Sequence, residues 1–259
     1  MAQYIEVEQA IGMRGLRLVL TAGVPGPWGE AAKGIFHVKK IPFVSVRQEG
    51  RGSNLALLNW TKQTSAPVAI YNDERPRSTW IEQLYLAERL AADPPLIPAP
   101  IDERVLMFGL CNEICGETGF GWSRRLMMLH ETLVNPDLPA DVKTGTAQFG
   151  ARYGYAAAAA EAAPSRCAEI LKLLAERLAG QRARGSRFFI GDRLSALDIH
   201  WAAFAALVEP LPDSLCAMSP RFRQVYTCAH PAIRSAITPQ LLEQRDFIYH
   251  EYLELPIDL

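Results

Sequence analysis

Residues 66–91 read APVAIYNDERPRSTWIEQLYLAERLA, and how this stretch is read decides the fold. Val68 to Tyr71 is a short apolar run bounded by Pro67 and by the turn residues Asn72-Asp73-Glu74, which marks a strand. A proline directly before such a strand is either a plain trans start or a cis bond. The cis form turns the backbone of Ala66 outward, so that its amide and carbonyl can pair with an extended peptide. A short fourth strand is expected through Arg75 to Arg77. From Ser78 or Thr79 a helix runs to about Ala91, opened by a hydroxyl cap. A helix start also carries free amides and the positive dipole end, which suits a carboxylate.

Upstream, Leu16 to Thr21 reads as a buried strand. Trp28 to Lys40 reads as a helix with Ala32, Ile35 and Phe36 on one face, Pro42 to Val46 as a strand, and Asn54 to Thr61 as a short helix. The order β-α-β-α-β-β-α is thioredoxin-like. Downstream, AADPPLIPAPI (91–101) holds four prolines and reads as an extended linker. The expected division is therefore an α/β domain over 1–92, a linker over 93–101, and an all-α domain over 102–259. In the last of these, Asp102 caps a helix to about Cys115, Gly116, Gly119 and Gly121 interrupt it, and a second helix runs from Trp122 to Leu133. The Ala run 156–160 is helix-prone but featureless. Pro164-Ser165 opens an amphipathic helix carrying Cys167, Ile170, Leu171, Leu174 and Leu178 on one side. Ser195-x-x-Asp198 is a capping box opening another helix through Leu207.

The 259 residues carry a formal charge of -1, with 49% hydrophobic and 21% charged residues, which excludes wholesale disorder. No basic field exists for nucleic acid or an anionic membrane, so neither is expected as a partner. The start MAQYIEVEQAIGMRGLRLVL has acidic residues before its apolar run, unlike a signal peptide, and no uncharged stretch reaches membrane-spanning length. Five cysteines (Cys111, Cys115, Cys167, Cys216, Cys228) at irregular spacing suit free thiols in a reducing compartment, so a cytoplasmic location is expected. Core packing is the leading reading for them. His200, beside Trp201 in an apolar helix, reads as a packing residue, and no histidine pair has metal-ligand spacing, so no metal site is expected.

PVAIYND, STWIEQLYLAERL, the proline linker and FFIGDRLSALDIHWAAF together resemble the glutathione transferase superfamily. The resemblance covers residues 15–95 and roughly 165–235. It implies glutathione as cosubstrate, a substrate pocket between the domains, and a homodimer, for which Trp60 and Leu55, Leu57 and Leu58 are interface or core candidates. Carried over by motif, Ala66 pairs by backbone with the cysteinyl part of glutathione and Pro67 is the cis-proline. Ser78 and Thr79 receive the γ-glutamyl carboxylate, and Gln63, Lys62 or Lys39 reaches the glycyl carboxylate.

The departure from the family lies after the first strand. Where a Tyr, Ser or Cys is expected near the first helix, this chain has AGVPGPWG (22–29), with Gly26 at the key position. The catalytic region is thus Gly26, Pro27 and Trp28 without a named catalyst. Thiolate stabilisation would fall to backbone amides and the helix dipole, with Tyr4, Thr21 and Trp28 as other possible donors. A thiol-disulfide oxidoreductase is not expected. In the second domain, Glu113, Trp122 and Arg125 are the substrate-pocket residues, with Glu113 as the partner of Arg125. The expected activity is attack of the glutathione thiolate on a small hydrophobic electrophile. The alternative is a glutathione transferase fold that binds ligands or partners without catalysis.

Overall fold

A computed structural model describes residues 3–259. A one-turn helix, α1 (Val7–Ala10), precedes the central strand β1 (Leu16–Thr21). The chain then runs through α2 (Pro27–Val38) to β2 (Phe43–Gln48), and through α3 (Leu55–Thr61) to β3 (Val68–Tyr71). β1 pairs parallel with β2 and antiparallel with β3, giving the sheet order β2-β1-β3. Alternation along β1 sends Leu16, Leu18 and Leu20 to one core, while Val19 joins Val46, Val68 and Ile70 in the other. Arg17 points to that second face, yet is buried. Its guanidinium donates to the carbonyls of Ala10, Met13 and Asn72 and lies 5.5 Å from the Trp60 ring. Trp60 therefore packs within this half, and Leu57 is buried beside it; Leu55 and Leu58 remain exposed.

The expected fourth strand is reduced to a single bridge between Ala69 and Arg77. Pro76 stands in the middle of that segment and has no N–H to extend a ladder. α4 (Trp80–Leu90) follows and completes a thioredoxin-like first half. Residues 91–100 lack regular structure but are anchored. Leu96 is fully buried, and its amide donates to the Glu88 carboxylate at 2.9 Å.

The remainder is helical: α5 (Ile101–Cys115), α6 (Phe120–Val134), α7 (Ala140–Ala151), α8 (Ala157–Arg182), α9 (Ala196–Phe204), α10 (Pro220–Tyr226), α11 (Pro231–Ala236) and α12 (Pro239–Tyr252). The expectation that Pro164 opens a helix is corrected, because Pro164 lies inside α8. The alanines before it have the highest helix propensity and carry the helix across the proline. The box at the start of α9 forms as read. Asp198 Oδ2 accepts from the Ser195 amide and hydroxyl at 3.0 and 2.8 Å, and its Oδ1 accepts from the Phe189 amide at 3.0 Å. α2 packs against α9 at Gly34, where a Cβ would stand 2.9 Å from Ile199 and 3.0 Å from Leu253. All five cysteines are free and buried. Among the described residues, no helix is long and apolar enough to cross a membrane.

Candidate functional site

The two halves of the 66–91 motif meet at one end of the sheet. Val68 pairs with Val19, so the residues before β3 lie beside the end of β1, where the chain turns toward α2. Gln83, buried in α4, donates to the carbonyls of Pro67 and Arg77, both at 3.2 Å. This side chain ties the entry to β3 against the entry to α4, and thereby brings Ala66 and Pro67 close to Ser78 and Thr79. The Ala66–Pro67 bond is cis. Neither the amide nor the carbonyl of Ala66 takes part in any hydrogen bond within the described residues. Three residues upstream of Ala66, the backbone amide of Gln63 donates to the Thr61 hydroxyl at 3.2 Å.

The two hydroxyls of the α4 start differ. Thr79 is closed on itself: its hydroxyl donates to Glu82 at 2.9 Å, and its amide donates to the same carboxylate at 3.3 Å. These contacts hold the Glu82 carboxyl below its usual pKa, with burial opposing and the Arg75 and Thr79 hydrogen bonds prevailing. Ser78 has no such partner within the described residues. Lys39 is withdrawn from the site, which corrects its expected role. Its buried ammonium pairs with Glu88 at 2.7 Å and donates to the Ala91 carbonyl at 2.7 Å, at the far end of α2.

At the start of α2, Gly26 is the N-cap, no side chain closes the first turn, and Pro27 occupies the first helical position. The amides of Trp28 and Gly29 therefore lack partners in the helix. A Cβ built on Gly26 meets nothing within 4 Å, and its φ of -66° suits any residue. Two of the other donors considered from sequence are spent. The Trp28 indole donates to the Cys115 carbonyl at 2.8 Å, and the Thr21 hydroxyl donates to Gln48 at 2.6 Å. Burial, and then the charges of Glu30 and Asp258, raise the Tyr4 pKa above its usual value.

The wall opposite α2 comes from α5 and α6. Gly121 lets Trp28 and Phe204 close edge to face, ring centroids 4.9 Å apart; a Cβ there would come within 2.7 Å of the Phe204 ring. Arg125 lies 5.9 Å from the Trp28 ring and 5.7 Å from the Tyr153 ring. Trp122 packs on Tyr153 at 4.9 Å and donates to its carbonyl at 3.1 Å. Trp122 and Arg125 are thus brought together, but Glu113 is not their partner. It pairs with Arg166, which corrects the expected Glu113–Arg125 pair. Glu113 and Arg166 form a partly exposed pair, and the side chain of Arg125 lies over the aromatic rings instead.

Sequence reasoning missed Tyr153, Phe204, Gln83 and Tyr226. The Tyr153-Gly154-Tyr155 pair in an otherwise Ala-rich region was the one available signal. His200 is a packing residue: burial lowers its pKa to about 4, and Nδ1 lies 2.7 Å from the Ala196 carbonyl. Burial pushes the Cys111 and Cys115 thiols far up, so neither is a ready nucleophile. A cavity of about 280 Å³ also opens along α2, lined by Glu30, Lys33, Gly34, His37, Tyr249 and Leu253 among others. Helical periodicity puts those α2 residues on the face opposite Trp28, so this cavity is separate from the cluster of Trp28, Arg125 and Tyr153.

With that geometry in place, the molecule is defined by its architecture: the chain has the glutathione transferase fold. It is similar to a glutathione S-transferase domain-containing protein from Marinobacter aquaeolei VT8 (TM-score 0.59, 18% identity, 91% of this chain and 98% of that one). It is also similar to rice glutathione transferase 1 in complex with glutathione (TM-score 0.58, 17% identity, 94% and 93% covered). A glutathione S-transferase from Methylobacterium radiotolerans in complex with glutathione sulfonate follows (TM-score 0.54, 18% identity, 86% and 94% covered). No family model and no curated protein matches the sequence.

Proposed function

We propose that this chain is a glutathione transferase that binds glutathione at the open end of the sheet and directs its thiolate at a small hydrophobic electrophile in the interdomain crevice. The observation that carries this reading is the unpaired backbone of Ala66 beside the unclosed start of α2. An extended tripeptide can pair with Ala66 as a strand would. Its γ-glutamyl carboxylate can take Ser78 and the first amides of α4, with Gln63 near the glycyl end. The thiol then falls near Gly26, where the amides of Trp28 and Gly29 and the helix dipole favour the anion. The protein's contribution to rate is electrostatic stabilisation and proximity. The residues assigned are Gly26, Pro27 and Trp28 around sulfur, and Gln63, Ala66, Pro67 and Ser78 around the tripeptide.

The division into domains at 1–92 and 102–259 belongs to the same reading, as do a cytoplasmic setting and a homodimer. Exposed Leu55, Leu58 and Tyr85 supply apolar surface for the dimer. Calorimetric titration with glutathione, followed by turnover across a panel of electrophiles, tests the proposal. Binding below millimolar concentration with glutathione-dependent product supports it, and absence of binding at millimolar concentration ends it. The bare Gly26 favours one second reading, a binding protein of this fold. That reading is preferred if glutathione binds but no electrophile in the panel turns over.

A further inference from the structure

Arg125 is a half-buried cation without a counter-charge. It makes no hydrogen bond or ion pair within the described residues, and its neighbours are the faces of Trp28 and Tyr153. Most other guanidinium groups here are answered, as Arg166 is by Glu113 and Arg223 by Asp213 at 2.5 Å. Partial desolvation of an unpaired guanidinium is unfavourable, while stacking between two rings holds its planar edge in one orientation.

A second group in the same neighbourhood is also unsatisfied. The Tyr226 hydroxyl, at the end of α10, is buried and has no hydrogen-bond partner. Burial raises its pKa first, and the charge that most opposes burial is Arg125, with Glu30, Cys216 and Tyr153 raising it further. A buried phenol without a partner is uncommon, because it has given up its hydrogen bonds to water and gained none in return. Glu30, the nearby anion, is already engaged by Lys33 at 3.0 Å.

We infer that Arg125, with Tyr226 behind it, is the anion-receiving end of the crevice, and that the electrophile this protein takes is a planar aromatic compound bearing a carboxylate. The carboxylate completes the guanidinium edge, and the ring lies along Trp28, Trp122 and Tyr153. The crevice walls thus recognise the flat body and Arg125 the charge. This assignment rests on the transferase reading above, since it places the electrophile beside the thiolate held near Gly26.

The test uses the intact protein and does not need turnover. Naphthoate and its uncharged counterpart naphthamide are titrated against tryptophan fluorescence, with glutathione binding measured separately by calorimetry. Wild type should bind naphthoate about tenfold more tightly than naphthamide. Arg125→Gln should abolish that preference while leaving the glutathione affinity unchanged, and Tyr226→Phe, which keeps the ring, should reduce it severalfold. In turnover, where the glutathione thiolate forms a carbon–sulfur bond and chloride leaves with the electron pair of the broken carbon–chlorine bond, a chloronitrobenzoate should be preferred over the matching benzamide, and the preference should vanish in Arg125→Gln. Equal binding of the two probes to wild type overturns the inference, as does a preference that survives Arg125→Gln. Loss of glutathione affinity in Arg125→Gln with the naphthoate preference intact also overturns it, because Arg125 would then serve the tripeptide. Failure of the transferase reading itself would appear independently, as absent glutathione binding in wild type.

Discussion

The helix that begins at Pro27 and the helix that begins at Ala196 pack against each other, yet their first turns are finished in opposite ways. At α9, Ser195 and Asp198 close the turn reciprocally, and Asp198 also takes the Phe189 amide and the Gln244 side chain. Nothing there is left for a ligand. At α2, the cap is Gly26, no side chain reaches the first amides, and there is open space where a Cβ would stand. The start of α4 lies between these extremes, with Thr79 closed on Glu82 and Ser78 free. A closed turn secures the fold, and an unclosed turn beside a crevice leaves donors for chemistry. The same helix-start physics therefore secures structure at α9 and leaves donors open at α2.

The largest effect should come from the closed turn. Asp198→Ala strands the buried amides of Phe189 and Ser195 and should cost roughly 3–5 kcal/mol in urea denaturation. A loss below about 1 kcal/mol would mean that the box is not what secures α9.

Acidity tests the same region with two terms of opposite sign. Burial raises the folded Asp198 pKa to about 6 from 3.8, so the folded state holds a proton that the unfolded state has released, and this term lowers stability as pH rises through that window. Burial lowers the folded His200 pKa to about 4 from 6.5, so the unfolded state holds the extra proton and this term raises stability as pH rises. The two oppose each other between about 4 and 6. His200→Gln should remove its term, so that stability relative to wild type improves on acidification by about 1 kcal/mol per pH unit, measured by denaturation at a series of pH values.

The unclosed turn is sharpened by filling it. Gly26→Cys should place a thiol against the α2 amides with its pKa lowered from about 8.5 to about 7 or below, read from the pH dependence of alkylation. The native cysteines are all buried and should contribute little background. An unshifted thiol would show that the α2 start does not favour an anion. Gly26→Ser should raise glutathione-dependent turnover about tenfold by adding a hydroxyl donor to the thiolate. Its effect on Tm should be slight, because Ser and Gly caps differ by about a few tenths of a kcal/mol. Thr79→Ala should cost about 1 kcal/mol of stability. Glutathione affinity should be retained, since the Thr79 hydroxyl is already spent on Glu82.

The strands at Leu16–Thr21 and Val68–Tyr71 were legible to the residue, because apolar runs bounded by turns and proline leave little choice of register. The Ser195–Asp198 box was legible because capping is a local rule. The fourth strand and the start of α8 were misread where one proline had to be weighed against its neighbours, and α1 carried too few residues to be read at all. In the candidate site, the cis bond at Pro67 and the absence of a hydroxyl or thiol at Gly26 were expectations carried by the family resemblance, and the cis bond and the uncapped start of α2 are present. The partner of Arg125 did not follow. Glu113 and Arg125 lie on adjacent helices, but Arg166 arrives from α8 to take Glu113, and Tyr153 and Tyr226 come from segments whose placement only the tertiary fold decides.

The claim underneath the rest is that an amide-rich helix start without a side-chain hydroxyl can hold a thiolate. The direct measurement is the ultraviolet absorbance of thiolate in the wild-type glutathione complex, followed against pH. A pKa for the bound thiol at least one unit below the free value of about 8.5 is expected. A bound thiol that titrates at the free value, or higher, would contradict the account.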